Sequence, residues 1–210
     1  MGYPDDVLDR MWERYSDWLG TNVTTTLNVT SSSPFAVPDA VSRSGISPTN
    51  SSRKLSFYAS PEQESGKINV YFHFAEIQVL KANDIREFDI FLDDTIIRKA
   101  YTPKVLQSET IYNISPQQCI SSSCDLDLIQ TQRSTLPPLI NAIEAFEVLE
   151  FPYAETNQND DDKLAGRSVR SCSVEMGRSK VQLHKQVYSS KNYFLDAIIP
   201  SLMHRICMYE

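Results

Sequence analysis

Residues 71–78 read Tyr-Phe-His-Phe-Ala-Glu-Ile-Gln, and residues 86–92 read Arg-Glu-Phe-Asp-Ile-Phe-Leu. From residue 67 to residue 74, and again from residue 87 to residue 92, apolar side chains recur at every second position, which is the period of a strand with one apolar face. Two such stretches close together indicate neighbouring strands of an antiparallel sheet. The alternation predicts a set of core side chains: Ile68, Val70, Phe72, Phe74, Phe88, Ile90 and Leu92. The other face of the first strand is expected to be polar and solvated, and it carries Lys67, Asn69, Tyr71 and His73.

Shorter segments with strand-like composition lie on both sides of this pair. They are residues 24–29, a strand beginning at residue 55, a strand beginning at residue 95 after the Asp93-Asp94 turn, residues 125–128 and residues 140–151. Residues 31–53 are rich in Ser and Pro and are interpreted as loop. Seven or eight short strands without a long helical pattern predict an all-β protein, an antiparallel β-sandwich, with a closed barrel as the alternative.

The distribution of charge divides the chain. The net charge is −7, which argues against a binder of nucleic acid or of anionic membranes. Residues 1–162 carry 12 Lys and Arg against 24 Asp and Glu, whereas residues 163–210 carry 8 against 3. A change of sign of this kind indicates a boundary. We therefore expect an irregular anchoring segment in residues 1–20, a sandwich in residues 21–155, and a linker and basic tail in residues 156–210.

We expect the tail to be irregular or partly helical and loosely packed. Its sequence around residues 166–172 has no strand-like alternation, and its Cys172 and Cys207 have no evident partners. Translation of a shifted reading frame or a retained intron would produce such a segment, and so would a lineage-specific tail with a short helix around residues 191–203. Asp160-Asp161-Asp162 lacks the spacing of a calcium loop and is interpreted as solvated linker.

The sequence contains features that argue against secretion and features that argue for it. The N-terminus has neither a basic start nor an apolar run, so no signal peptide is expected, and no apolar stretch approaches the roughly 20 residues of a membrane helix. Four Asn-X-Ser/Thr sequons, however, indicate an extracellular glycoprotein, although a Ser- and Thr-rich chain also makes sequons by chance. The candidate glycosylated residues are Asn22, Asn28, Asn50 and Asn113.

The remaining motifs favour no catalytic chemistry. Cys119 and Cys124 enclose a short polar loop and are a candidate disulfide, with free thiols or a metal site as the alternatives. His73 and Glu76 lie three positions apart and so point to opposite faces of a regular strand, which argues against an acid/base pair. With only 6 Gly and no phosphate loop or metal motif, we expect no catalytic, cofactor-binding or metal-binding residues and no cofactor.

An ordered series of short motifs resembles the plant malectin-like domain, the extracellular β-sandwich module of leucine-rich-repeat receptor kinases. The series comprises Tyr3-Pro4-Asp5-Asp6, Asp9-Arg10 with Trp12, His73-Phe74-Ala75-Glu76-Ile77, Asn83 with Arg86-Glu87-Phe88, Tyr112-Asn113, the stretch from Ser134 to Glu144, and Glu155-Thr156-Asn157. The opening motif is similar to the start of the second of two tandem modules. In that family a cysteine pair follows the Tyr-Asn segment, which favours the Cys119–Cys124 disulfide. The resemblance implies a jelly-roll-type sandwich and a truncated second module, without the kinase and therefore not an enzyme.

The resemblance also implies a function in recognition. The leading hypothesis is a non-catalytic module of a receptor ectodomain that binds a cell-wall glycan, a peptide or a partner ectodomain. The alternatives are a true lectin with a defined oligosaccharide pocket and a truncated gene product without independent function. The aromatic residues weighed as a sugar platform are Tyr58, Tyr71, Phe91, Tyr101 and Tyr112, with core packing as the simpler role. The parent receptor would lie at the extracellular face of the plasma membrane, with a carbohydrate or another ectodomain as partner and no nucleic acid.

Overall fold

The computed structural model describes residues 6, 8, 10–14, 20–35, 37–49, 52–61 and 66–148, and the backbone of three later segments. In chain order the described elements are β1 (Trp12–Arg14), β2 (Thr21–Thr24), β3 (Thr30–Ser31), α1 (Asp39–Ser42), β4 (Ser44–Ser47), β5 (Lys54–Ala59), β6 (Lys67–Phe74), β7 (Phe88–Leu92), β8 (Thr95–Tyr101), β9 (Gln107–Tyr112), β10 (Gln117–Gln118), β11 (Cys124–Gln130), β12 (Ala142–Val148), β13 (Ser173–Met176), β14 (Ser179–Gln182) and β15 (Met203–Tyr209).

The strands form two main sheets. The larger has the order β1-β15-β12-β6-β9-β3, with β10 also paired to β6, and the smaller has the order β5-β11-β7-β8. The central pairings of β6 with β12 and β9, and of β11 with β5 and β7, are antiparallel. Two short pairs, β2 with β4 and β13 with β14, complete the described strands.

The largest of the described hydrophobic clusters lies between the two main sheets. Its members come from β5, β7 and β11 on one side and from β6 and β12 on the other. The seven side chains predicted from alternation are all at most 2% exposed. The sandwich and its inner face are therefore confirmed.

The opposite face of β6 is not solvated as expected. Asn69 and His73 are buried there, with His73 fully covered. The ring centroids of Trp12 and His73 lie 6.0 Å apart in an edge-to-face arrangement, and those of Phe35 and Tyr71 lie 5.0 Å apart. Alternation reports the polarity of a strand face, but segments distant in sequence decide whether that face is covered.

Residues 31–53 contain structure that their composition concealed. They include α1 and β4, and all four residues of β4 are buried. A Cβ at Gly45 would lie 2.8 Å from the carbonyl oxygen of Ile140, so only glycine allows this close approach. Residues 24–29 were predicted as one strand, but β2 ends at Thr24 and β3 begins at Thr30. β9 also lay outside the predicted strands.

The two chain ends also differ from expectation. Trp12–Arg14 of the anchoring segment is a strand, and Met203–Tyr209 of the tail pairs in parallel with it and antiparallel with the full length of β12. The described parts of the tail are therefore strands, and β15 lies between β1 and β12 in the larger sheet. The Asp160–162 run, Cys172 and the helix considered near residue 191 fall outside the described residues.

Candidate functional site

Four aromatic rings pack together on the outer face of the larger sheet. This aromatic cluster consists of Tyr71 on β6, Tyr112 on β9, Phe146 on β12 and Phe35 from the loop before α1. Tyr71 and Tyr112 are register partners and stack with their centroids 5.3 Å apart. Phe35 approaches both rings, at 5.0 and 5.6 Å. Tyr112 is 43% exposed, whereas Phe146 forms the buried side of the cluster.

Polar groups border the aromatic cluster. Glu144 lies opposite Tyr71 in the register of β12 and β6. Burial, the charge of Glu144 and the neighbouring Tyr112 raise the pKa of Tyr71, which further favours its neutral hydroxyl. Thr110 Oγ1 lies 2.8 Å from Ser33 Oγ and 3.0 Å from His73 Nδ1. These contacts hold the loop that carries Phe35 against β9.

A buried charged network lies beside the cluster and attaches the N-terminal segment to the sheet. Arg10 donates from Nη1 to Glu144 Oε1 at 2.7 Å and from Nε to Asp6 Oδ2 at 2.8 Å. The Arg10 guanidinium also lies 4.8 Å from the centroid of the Trp12 ring. His73 Nε2 lies 2.8 Å from the same Glu144 oxygen. Since the carboxylates and the guanidinium neutralise one another, the role of this network is structural: it holds the N-terminal segment on the sheet beside the cluster.

His73 and Glu76 belong to separate networks. Glu76 follows the end of β6 and accepts from Arg86 Nε at 2.6 Å, while His73 is bound to Glu144 and Thr110. The two side chains are therefore bound by different partners in the structure. Among the described residues, no group of three or more His, Cys, Asp and Glu is placed to hold a metal ion.

Of the five aromatic residues considered from sequence, the structure brings two together. Tyr101 lies in the core, 4.9 Å from Phe74, and Tyr58 and Phe91 lie on the outer face of the smaller sheet. Sequence reasoning missed Phe35 and Phe146. Phe35 follows a Ser- and Pro-rich stretch that carries no periodic signal, so only its contact with β6 and β9 identifies it.

Cys119 and Cys124 form a disulfide, as predicted. Their Cα atoms lie 4.7 Å apart, and the bond ties the segment after β10 to the first residue of β11. In the part of the chain that the structure describes, no helix is long and apolar enough to cross a membrane.

The candidate glycosylated residues differ in accessibility. Asn22 and Asn28 are exposed, and Asn50 lies outside the described residues. Asn113 is 7% exposed. Its Oδ1 accepts from the Val70 backbone at 2.7 Å, and its Nδ2 donates to the carbonyl oxygens of Ile68 at 3.1 Å and Ser115 at 2.8 Å. The nitrogen that would carry a glycan is thus used inside the fold, and a glycan at Asn113 does not fit.

We expect secreted, folded protein to carry no glycan on Asn113 and to be glycosylated only at accessible sequons such as Asn22 and Asn28. Enzymatic glycan release in heavy-oxygen water, followed by peptide mass spectrometry, labels each formerly occupied asparagine. An unlabelled Asn113 peptide beside labelled Asn22 or Asn28 peptides is the expected pattern. A labelled Asn113 in folded material would contradict the placement of this side chain.

The comparison with known proteins identifies a family for most of these elements. A sequence model of the malectin-like domain matches residues 1–148. The Arabidopsis thaliana probable LRR receptor-like serine/threonine-protein kinase At2g28960 is 62% identical over 158 residues, which cover 75% of this chain and 18% of that protein. A second Arabidopsis thaliana kinase of this description, MEE39, is 41% identical over 197 residues, which cover 93% of this chain and 22% of that protein. The chain thus spans about a fifth of the length of these relatives.

The alignment with MEE39 bears on the tail. Residues 163–210 make up more than a fifth of the chain, so an alignment that covers 93% of it must include part of them. That part of the tail therefore aligns with a receptor kinase, which argues against a shifted reading frame there.

Two solved structures are similar to part of this chain. The extracellular domain of ANXUR1 from Arabidopsis thaliana is 15% identical, with a TM-score of 0.47, over 63% of this chain and 39% of that one. A chain from the complex of the plant peptide RALF23 with FER and LLG2 is 19% identical, with a TM-score of 0.45, over 63% of this chain and 40% of that one.

The family match contains the smaller sheet, all four rings of the aromatic cluster and the disulfide. It is a match to the malectin-like domain and not to a kinase domain. The chain belongs to the malectin-like domain family of plant LRR receptor-like kinases.

Proposed function

We propose that this chain is a recognition module in the extracellular part of a plant receptor kinase, and that its aromatic cluster binds a cell-wall carbohydrate. The kinase relatives support the receptor context. The proposal of a carbohydrate ligand rests on the packing of Phe35, Tyr71 and Tyr112 on an outer sheet face, where Tyr112 is partly exposed to solvent.

The chemistry of the cluster suits a sugar ring. The C–H faces of a pyranose are apolar and pack on aromatic rings, while its hydroxyl groups need hydrogen-bond partners at the rim. The exposed part of Tyr112 supplies such an apolar surface. Tyr71 supplies a neutral phenol hydroxyl, whose pKa is raised by burial and by the charge of Glu144.

The charge of the domain favours a neutral glycan over an acidic one. Residues 1–162 carry twice as many Asp and Glu as Lys and Arg. A polymer of uronic acids would approach this surface against like-charge repulsion. Neutral glucans and related oligosaccharides meet no such barrier.

We expect Tyr112→Ala to weaken binding of a neutral oligosaccharide about tenfold, because the loss of one stacking ring removes on the order of 1 kcal/mol or more. Phe35→Ala should act in the same direction. Isothermal titration calorimetry of the full chain against cello-, malto-, xyloglucan and galacturonan oligosaccharides measures the affinities. Tyr58→Ala is the matched control, because Tyr58 is similarly exposed but lies on the smaller sheet.

Binding that is equally strong in Tyr112→Ala and in Tyr58→Ala would place the glycan elsewhere. Failure of every neutral oligosaccharide to bind would reject carbohydrate as the ligand of this cluster, and preference for galacturonans would reject the argument from charge.

A further inference from the structure

A second surface lies at the open side of the sandwich, where the edge of the smaller sheet faces the end of β9. This edge cleft has a volume of about 750 Å³. It lies between residues 95–98 at the start of β8 and residues 110–118, which include the end of β9, the following loop and β10. The residues that matter for its chemistry are Ile96, Ile97, Arg98, Ile111, Tyr112 and Ile114.

The edge cleft has an apolar floor and apolar rims. Ile97 and Ile111 are partly buried and pack against the main core, one from each sheet. Ile96 is exposed on one rim, and Ile114 on the other is 94% exposed. Exposure of a large aliphatic side chain to water is unfavourable because of its hydrophobic transfer free energy. A bound apolar group would remove this side chain from water and so gain that free energy.

The exposure of Ile114 is imposed by the anchors on both sides of its loop. Asn113 is bound to the backbone of β6 through Val70 and Ile68. Gln117 Nε2 donates to the carbonyl oxygen of Leu92 at 2.9 Å. Because both ends of the loop are fixed, Ile114 is presented at the rim of the cleft in a defined position.

The backbone of β8 can also form hydrogen bonds with an added strand. Within the described residues, β8 pairs with β7 alone and forms an edge of the smaller sheet. The free side of an edge strand carries backbone donors and acceptors that can pair with an added strand. An extended segment beside residues 95–98 would join this sheet while its side chains reach the floor of the cleft.

Arg98 gives the cleft its charge. Among the residues that line the cleft, Arg98 is the charged one, and its side chain is exposed. No carboxylate of the described residues forms an ion pair with Arg98. An unpaired guanidinium in a protein of net charge −7 marks a local site for an anion.

We propose that the edge cleft binds an extended peptide segment of a protein partner as an added strand beside β8, with an apolar side chain on Ile97 and Ile111 and a carboxylate at Arg98. This site is distinct from the carbohydrate surface proposed above, although Tyr112 borders both. It uses backbone pairing, apolar burial and one ion pair, which together select an extended acidic-apolar sequence over a sugar.

The test is selection of linear random decapeptides displayed on phage against the full chain, followed by fluorescence anisotropy of the enriched peptides. We expect sequences that combine a β-branched or aliphatic residue with Asp or Glu. Arg98→Glu should weaken their binding at least about tenfold, because attraction becomes repulsion, and Ile114→Ser should weaken it about fivefold. Since both side chains are exposed, neither change should alter the thermal midpoint by more than a few degrees.

Two controls test whether binding is specific to the edge cleft and whether it depends on backbone pairing. Tyr58→Ser, on the far face of the smaller sheet, should leave peptide affinity within about twofold. N-methylation along the peptide should abolish binding at alternate positions only, because every second N–H of an added strand pairs with β8.

The proposal is overturned if no peptide is enriched, or if enriched peptides bind Arg98→Glu and Ile114→Ser as well as the unaltered chain. Uniform tolerance of N-methylation would reject strand addition. Phe35→Ala separates the two proposals, because it should weaken the glycan and leave the peptide unaffected.

Discussion

Replacing Glu76 with alanine is expected to lower the free energy of unfolding by about 3–5 kcal/mol, the typical cost of breaking a buried ion pair. The Glu76 carboxylate and the Arg86 guanidinium are 1% and 2% exposed, and they lie 2.6 Å apart. Without Glu76, Arg86 would remain buried as an uncompensated charge. The cost is therefore dominated by the desolvated cation that is left behind.

The Arg86 guanidinium joins three segments of the chain. Besides Glu76, it donates from Nη2 to Gln78 Oε1 at 2.5 Å and from Nη1 to the carbonyl oxygen of Pro137. These partners lie after β6 and before β12, while Arg86 itself lies just before β7. Loss of the charge balance should thus loosen the connection between the two sheets at this end of the sandwich.

Urea denaturation of the full chain, followed by fluorescence, measures this effect. Glu76→Gln should cost less than Glu76→Ala, because the amide oxygen still accepts from Arg86. The double variant Glu76→Ala/Arg86→Met should recover part of the loss, since it leaves no buried charge. Asp39→Ala is the control, because its pair with Arg43 is exposed and worth about 0–1 kcal/mol. A Glu76→Ala effect no larger than that of Asp39→Ala would contradict the burial of this pair.

Replacing Phe72 with alanine is expected to cost about 3–5 kcal/mol of unfolding free energy. Phe72 is 0% exposed at the centre of β6, and its ring lies 6.3 Å from that of Phe74. The substitution removes the transfer free energy of the ring and leaves a cavity that the two sheets cannot easily close.

The same denaturation experiment includes two comparisons. Phe72→Leu should cost clearly less, because it retains most of the buried volume. Val79→Ala should be within about 0.5 kcal/mol of the unaltered chain, because Val79 is 91% exposed. If Phe72→Ala were as mild as Val79→Ala, the inner face of β6 would not be the core of the domain.

The inner faces of β6 and β7 could be predicted from the sequence, because a strand with one buried side must alternate with period two. The turn at Asp93-Asp94 and the Cys119–Cys124 bond were predictable for a related reason. Each depends on residues close together in the chain, so composition and spacing carry the information. The ordered motifs added the family, which no single stretch would have shown.

The outer face of β6 was not predictable in the same way. Its residues are polar, and polar residues are compatible both with a face exposed to solvent and with a face covered by other polar groups. Trp12 and Arg10 cover it from the N-terminus, and the Arg10–Glu144 pair spans 134 positions of sequence. Contacts over such separations leave no periodic trace.

Both proposed binding surfaces depend on contacts of this long-range kind. Phe35 follows an unpatterned serine-rich stretch, and only the fold brings it to Tyr71 and Tyr112. The sequon at Asn113 could be recognised as a sequence motif, but the burial of Asn113 against β6 could not be predicted from that motif. Local alternation is enough to predict which strand faces meet in the core. Which polar and aromatic side chains are covered, and which remain accessible to a ligand, depends on contacts between segments far apart in the chain, and these contacts form only in the folded domain.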